Sequence, residues 1–269
     1  MPPAASRPDP RQPAKVVATA RDLLAVGGYP EPERLAMRLL TSQLAARSGL
    51  PPLTWPALEH EADPDGVYAA RRHLSGLVMN GWDMCDVSAA YEHLLHPKVR
   101  MDKAAFYTPP EAAHFMVRFS LGQAAGMLTA DPDPRAVLQI LAVDPSCGAG
   151  VFLVEAARYI ATVLANRLSG RPDTDLSRPA ASAPKLARLM LPEVMAECVF
   201  GMDIDPIAVD LARAALWFEV GGEENITFMD RNVVVVNPLS GPDAQPAKLA
   251  ERLRDDPEAA ARACDIQNH

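Results

Sequence analysis

Three short apolar runs, separated by stretches of helical periodicity, constrain this fold more than any other feature of the chain. The runs are "AVLQILAVDP" (136–145), "CVFGMDI" (198–204) and "NVVVV" (232–236). They are short and bounded by turn signals, as buried parallel strands are. Between them lie "GAGVFLVEAARYIATVLANRL", "KLARLMLPEVMAE" and "DPIAVDLARAALWFEVGG", with apolar residues at helical spacing and Gly221-Gly222 closing the last. Strand, helix, strand, helix, strand predicts an α/β domain built on a partial doubly wound, Rossmann-like sheet. Ligands of such sheets bind at the carboxyl ends of the strands.

Upstream, residues 14–97 predict a helical domain of about four helices. "AKVVATARDLLAVGG" stops at Gly27-Gly28, and "PEPERLAMRLLTSQLAARSG" starts at proline and stops at Gly49. "GVYAARRHLSGLVMNG" and "DVSAAYEHLLH" follow, and Pro97 ends the last. The α/β domain is assigned to residues 98–241. Its first helix, after Thr108-Pro109-Pro110, is expected to use Thr108 as cap and to turn Ala113, Phe115, Met116 and Phe119 inward. Residues 1–13 are a Pro-rich lead-in without an apolar core and read as disordered, 169–184 as a mobile Pro-rich loop, and 242–269 as a charged helical tail.

Composition bounds the function classes. No apolar run reaches 18 residues, so no membrane span is expected. Cys85, Cys147, Cys198 and Cys264 form no CxxC pair, and no His spacing completes a zinc site, so neither metal nor disulfides are expected. A reduced cytoplasmic chain is the simplest reading. The net charge of −8 opposes direct wrapping of nucleic acid. Lys98, Arg100 and Lys103 form a basic candidate patch, or an ordinary solvated connector.

The chemistry concentrates in "VDPSCGAG" (143–150), which ends the first strand and opens a helix. Gly148 and Gly150 allow a tight turn and close approach of a ligand. The helix N-terminus behind them suits a carboxylate or phosphate, and Asp144 in front suits an ammonium group. A site needing both signs fits an amino-acid-like ligand; nucleotide phosphate binding and a bare strand–helix turn are the alternatives. The next strand ends in "GMDIDP". Asp203 is placed to accept from ribose hydroxyls, Ile204 to lie against a planar base, and Asp205 to cap the helix that Pro206 opens. Asp203 follows Asp144 by 59 residues, well beyond the spacing of about 20 in dinucleotide sites.

"AFYTPPEAAHFMV", "DPSCGAGVFLVEA" and "GMDIDPIAVDLARAALW", in this order, resemble the N6-adenine DNA methyltransferases of type I and type IIG restriction-modification systems. The resemblance covers roughly residues 88–241. It implies S-adenosyl-L-methionine as cofactor, with Phe106, Tyr107 and Thr108 bordering its methionine end. Asp144 would take the methionine ammonium, the loop from Pro145 through Cys147 and Gly148 to Gly150 would wrap methionine and ribose, and Asp203 would take the ribose diol. Ala104 departs from the glycine usual in the family.

The family's catalytic motif, Asn/Asp-Pro-Pro-aromatic, grips the adenine amino group and stacks on the flipped base. "VVVVNPLSG" has Asn237 and Pro238 but then Leu239 and Ser240. A parallel crossover needs about a dozen residues, and none fits between "ITFMD" and the valines. "NVVVV" is therefore expected to be the third strand. "FMDRNVVVVNPLSG" resembles the type IIG turn that leads to the cofactor adenine, which makes Asn237 a cofactor contact. A degenerate catalytic motif and a plain strand end are the alternatives. The catalytic motif and the DNA-reading domain are then absent from these residues. DNA would be reached through a missing domain or a second methyltransferase subunit, and an apolar edge would remain after the third strand. A non-catalytic cofactor-binding module and a small-molecule methyltransferase are the rival functions.

Overall fold

The computed structural model describes residues 11–55, 64–102, 108–128, 131–170, 184–222, 229–237 and 255. It divides into two compact units, Met1–Tyr107 and Thr108–His269. The division falls ten residues beyond the expected one at 97/98, because Pro97 opens a further short helix in the first unit instead of closing it.

The first unit is helical: α1 (Arg11–Val26), α2 (Pro32–Arg47), α3 (Pro64–Leu74), α4 (Met84–Leu94) and α5 (Pro97–Asp102). Helix α1 packs against α2, α3 and α4, burying Val17, Ala20 and Leu24 against a core that holds Met37, Leu40, Leu44, Leu74 and Val87. Gly28 and Gly49 follow α1 and α2 at positive φ, where L-residues are disfavoured. Asp83 caps α4, taking the Cys85 and Asp86 amides while the Asp86 carboxylate accepts the Asp83 amide. In α5, Arg100 pairs with Glu92 at 3.3 Å.

The second unit is α/β. Its elements are α6 (Pro110–Met127), a 3₁₀ turn (Pro134–Gln139), β1 (Ala142–Asp144), α7 (Val151–Leu168), α8 (Pro184–Cys198), β2 (Val199–Asp203), α9 (Pro206–Glu219) and β3 (Val233–Val235). The strands form a parallel sheet in the order β1-β2-β3. The first apolar run is thus only partly a strand. Asp133 accepts the Arg135 amide and Pro134 presets the first turn, so residues 134–139 coil before β1 begins.

Both sheet faces are buried. Ala142, Val199 and Val233 face a core built from α7, α8 and α9. Phe200, Met202, Val234 and Val236 alternate to the other face and are at most 3% exposed. Arg213 of α9 donates to the Val233 carbonyl and pairs with Asp230 at 2.9 Å, fixing β3 to the helix layer. Buried Asn232 places its Nδ2 within 3.1 Å of the carbonyls of Met195, Ala196 and Val199, joining the end of α8 to the start of β3. Asn232→Ala would take this donor from the Met195 and Val199 carbonyls, while the Ala196 carbonyl keeps Arg231, so chemical denaturation should show a loss of about 2–3 kcal/mol with an unchanged m-value.

Helix α6 departs from expectation. Pro109 is its N-cap, with extended backbone, and Pro110 its first residue; Thr108 stands one position too early to cap. Of the residues expected inward, only Ala113 is buried. Phe115 is 70% and Phe119 69% exposed, and Met116 is also exposed. The helix instead turns its smaller residues, Ala113, Val117 and Ala125, inward. Small side chains let α6 lie close along α7, which leaves the large ones pointing away. Phe106 and Tyr107, the basic residue Lys103 and the tail 242–269 (Asp255 apart) lie outside the described residues, as do Ala104, Leu239 and Ser240.

Candidate functional site

The site is the turn from β1 into α7. Asp144 ends β1, and its Oδ1 accepts the Ser146 amide at 3.0 Å, which starts the loop. The Cys147 amide donates to the Met202 carbonyl at 2.9 Å, so the loop is stitched to β2. The buried Cys147 side chain faces Gly201, where an added Cβ would lie 3.1 Å from Sγ and 2.6 Å from Leu153 Cδ1. Cys147 thus fills the space under the loop. Burial, then the charges of Asp144 and Asp203, push its thiol well above the ordinary range, which keeps it inert.

Gly148 and Gly150 both have positive φ, 51° and 86°. Gly150 is also the N-cap of α7, and a Cβ there would meet the Ala212 Cα of α9 at 2.9 Å. The chain therefore needs glycine at 150 for conformation and for clearance alike. No side chain caps α7 and no acid stands in its first turn. The helix end consequently offers its amides to an external anion.

Asp203 ends β2 on the same face as the loop. Its Oδ2 accepts the Gly148 amide and its Oδ1 the Asp205 amide, both at 2.9 Å, while its own carbonyl accepts the Val236 amide at 2.8 Å. One residue thus ties the Gly loop, the β2–α9 turn and the end of β3. Each carboxylate oxygen keeps lone-pair capacity for a further donor. Asp205 caps α9 as expected, accepting the Ile207 amide at 3.0 Å, with Pro206 in the first turn. Ile204 projects outward, 55% exposed. Asn237 is half-buried and directly follows Val236, so it stands at the carboxyl end of β3 beside Asp203.

Asp144 and Asp203 lie close enough to repel. Burial, opposed by the Ser146 amide and reinforced by the Asp203 charge, raises the Asp144 carboxyl above its ordinary value. The mouth of the site is an anionic spot seeking a cation.

Of the residues proposed from sequence, Asp144, Pro145–Gly150, Asp203, Ile204 and Asn237 meet at the carboxyl ends of the three strands. Thr108 stands at the start of α6. Unanticipated is an ionic chain across three helices. Glu155 of α7 accepts from Arg158 at 2.7 Å and meets His114 Nδ1 of α6 at 2.9 Å, and Arg158 also grips Glu219 of α9 at 2.6 Å. The Glu155/Arg158 spacing of three along a helix was the one signal available for it.

Comparison of the chain with protein-family models, with curated proteins and with solved structures finds no match. Among the described residues, no helix is long and apolar enough to cross a membrane and no cluster of His, Cys, Asp and Glu is arranged to hold a metal ion.

Proposed function

We propose that residues 108–237 bind S-adenosyl-L-methionine as the cofactor half of a methyltransferase of the DNA adenine-N6 type. The observation that carries this reading is the joint between the two acids. Asp144 and Asp203 end adjacent parallel strands, and the glycine loop between them is anchored to Asp203 through the Gly148 amide. The three strands are read as the first half of a doubly wound, Rossmann-like sheet, in which ligands lie across strand ends.

The ligand's opposed charges match the site's. Its ammonium pairs with Asp144, and its carboxylate meets the uncapped amides of α7. Its ribose diol donates to the free lone pairs of Asp203, its adenine lies on Ile204, and Asn237 borders the base. The cofactor supplies an electrophilic methyl group. These residues only hold and orient it, and the acceptor amine must be presented by groups outside this set. Residues 1–107 carry twelve Lys/Arg and twelve Asp/Glu, so the whole excess of −8 falls on residues 108–269. This acidity favours DNA contact through a partner chain or further domain rather than through the cofactor unit. Such a role would be cytoplasmic.

Isothermal titration of the full chain with S-adenosylmethionine should show one-site binding. Asp203→Ala should weaken it by about ten- to a hundredfold, since charge-assisted bonds to the ribose are worth about 1.5–3 kcal/mol together. A folded chain that takes up no S-adenosylmethionine would sink the proposal. The chain alone should transfer no labelled methyl group to DNA, and transfer would restore Asn237 as a catalytic residue.

A further inference from the structure

Helices α6 and α7 run in the same direction with their ends side by side. His114 and Glu155, each one turn into its helix, meet at 2.9 Å, and Arg167 in the last turn of α7 donates to the carbonyl of Leu128, the C-cap of α6, at 2.7 Å. The apolar contact between the two helices is shallow. Ala113, Val117 and Ala125 are buried on α6, while Phe115 and Phe119 point away. Burial of small apolar groups is favourable but non-directional, so by itself it lets α6 tilt or slide along α7. A hydrogen bond is directional and selects one setting.

The partner of His114 is held rigidly. The Glu155 side chain is only 9% exposed. Its Oε1 accepts from Arg158 Nη1 at 2.7 Å, and Arg158 in turn donates from Nε and Nη2 to Glu219 of α9 at 2.8 and 2.6 Å. Glu155 is thereby fixed with Oε2 aimed at α6. Across the imidazole ring, Nε2 lies 3.4 Å from Arg118 Nη1. A guanidinium only donates and a carboxylate only accepts, so a neutral ring serves both by carrying its proton on Nδ1. Position 114 therefore has to present a donor at the place of Nδ1.

What this bond holds is a wall of a cavity. Met116, Val117 and Ser120, which follow His114 on α6, line a space of about 290 Å³ together with Asp144 of β1 and Phe152 and Leu153 of α7. We propose that His114, acting through Glu155, is a positioning residue for the amino-acid end of the bound ligand: it sets how closely the α6 wall stands to Asp144. This rests on the cofactor reading above, in which Asp144 takes the ligand's ammonium. In that reading the nucleoside end is held by Asp203, Ile204 and Asn237, at the ends of β2 and β3. His114 thus acts on one end of the ligand and not on the other.

The test titrates the full chain with S-adenosylmethionine and, separately, with methylthioadenosine, which carries the nucleoside but no amino-acid end. His114 is 56% exposed, so its variants should fold. His114→Ala should weaken S-adenosylmethionine by about three- to tenfold, the range of one partly solvated hydrogen bond to a charged group. Methylthioadenosine should change by less than about twofold, since a nucleoside makes no use of that bond. His114→Asn places an amide nitrogen where Nδ1 stands and should recover the S-adenosylmethionine affinity. Equal weakening of both ligands would show a merely structural role and overturn the proposal, as would an unchanged S-adenosylmethionine affinity or an asparagine variant as weak as alanine. A wild-type chain that takes up S-adenosylmethionine but no methylthioadenosine at millimolar concentration also overturns it, because the two ends are then not held separately. A wild-type chain that binds no S-adenosylmethionine overturns the cofactor reading itself, and the positioning role with it.

Discussion

Gly150→Ala is expected to cost about 2–5 kcal/mol of stability and, under the proposed function, to remove S-adenosylmethionine binding in whatever fraction remains folded. Two effects add. An L-residue at φ 86° pays about 1–2 kcal/mol for left-handed backbone. The new methyl group also lies 2.9 Å from the Ala212 Cα, and because that neighbour is helix backbone, relief requires α7 or α9 to move, at about 1–3 kcal/mol. Thermal and urea unfolding would measure the loss. The paired variant Gly148→Ala separates the effects: its φ is also positive, but a Cβ there meets nothing within 4 Å. It should lose only the conformational part. Equal losses at the two positions would show that clearance at Ala212 is not what position 150 protects.

Asp144→Asn should move stability and ligand affinity in opposite directions. Burial first, and the Asp203 charge after it, raise the Asp144 carboxyl in the folded chain. A group so raised contributes stability that is full below its unfolded pKa and is lost as pH rises through the folded value. At neutral pH the wild-type chain therefore carries an unfavourable, half-buried charge at Asp144. The amide removes that charge and can still accept the Ser146 N–H, so Tm should rise at pH 7, and the advantage should vanish near pH 3. With S-adenosylmethionine bound as proposed the order should invert, since in that mode the ligand's ammonium pairs with the carboxylate but not with the amide. Loss of one partner of a buried charge pair costs about 2–5 kcal/mol, some one and a half to three and a half decades in Kd. Titration calorimetry and thermal melts with and without ligand read both. An unchanged affinity would remove Asp144 from the proposed cofactor site.

The sequence made the strand ends legible because their signals are local. Asp205-Pro206 caps and starts α9 by its own side chain and ring, and Gly148 and Gly150 announce a turn wherever they stand. The third strand was legible for a different reason: chain length forbade a crossover before the valines, and Val233–Val235 indeed pair with β2. What failed was orientation. Phe115, Met116 and Phe119 are apolar, and apolarity alone pointed them inward. Which side of a helix is buried depends on the neighbour, and α7 selects the small residues of α6. Thr108 failed by one position, because two prolines follow it and the second, Pro110, begins the helix. The expected edge after the third strand is one of two among the described strands: sequential lateral order leaves β1 at an edge as well, and no local pattern records lateral order. Likewise the Glu155 chain joins helices far apart in sequence, so only its half within α7 was visible.

The anchoring of Gly148 to Asp203 has a consequence for how the chain acquires its pocket. The contact spans 55 residues, and the β1–β2 pairing around it spans a similar length. Closing so long a loop is slow compared with forming any of the helices. The helices can therefore be present while the glycine loop is still unanchored, and the pocket is completed only when β2 arrives beside β1. A ligand that needs both acids binds the finished state alone. It should slow unfolding more than it speeds folding, so the occupied protein outlasts the empty one chiefly by refusing to open.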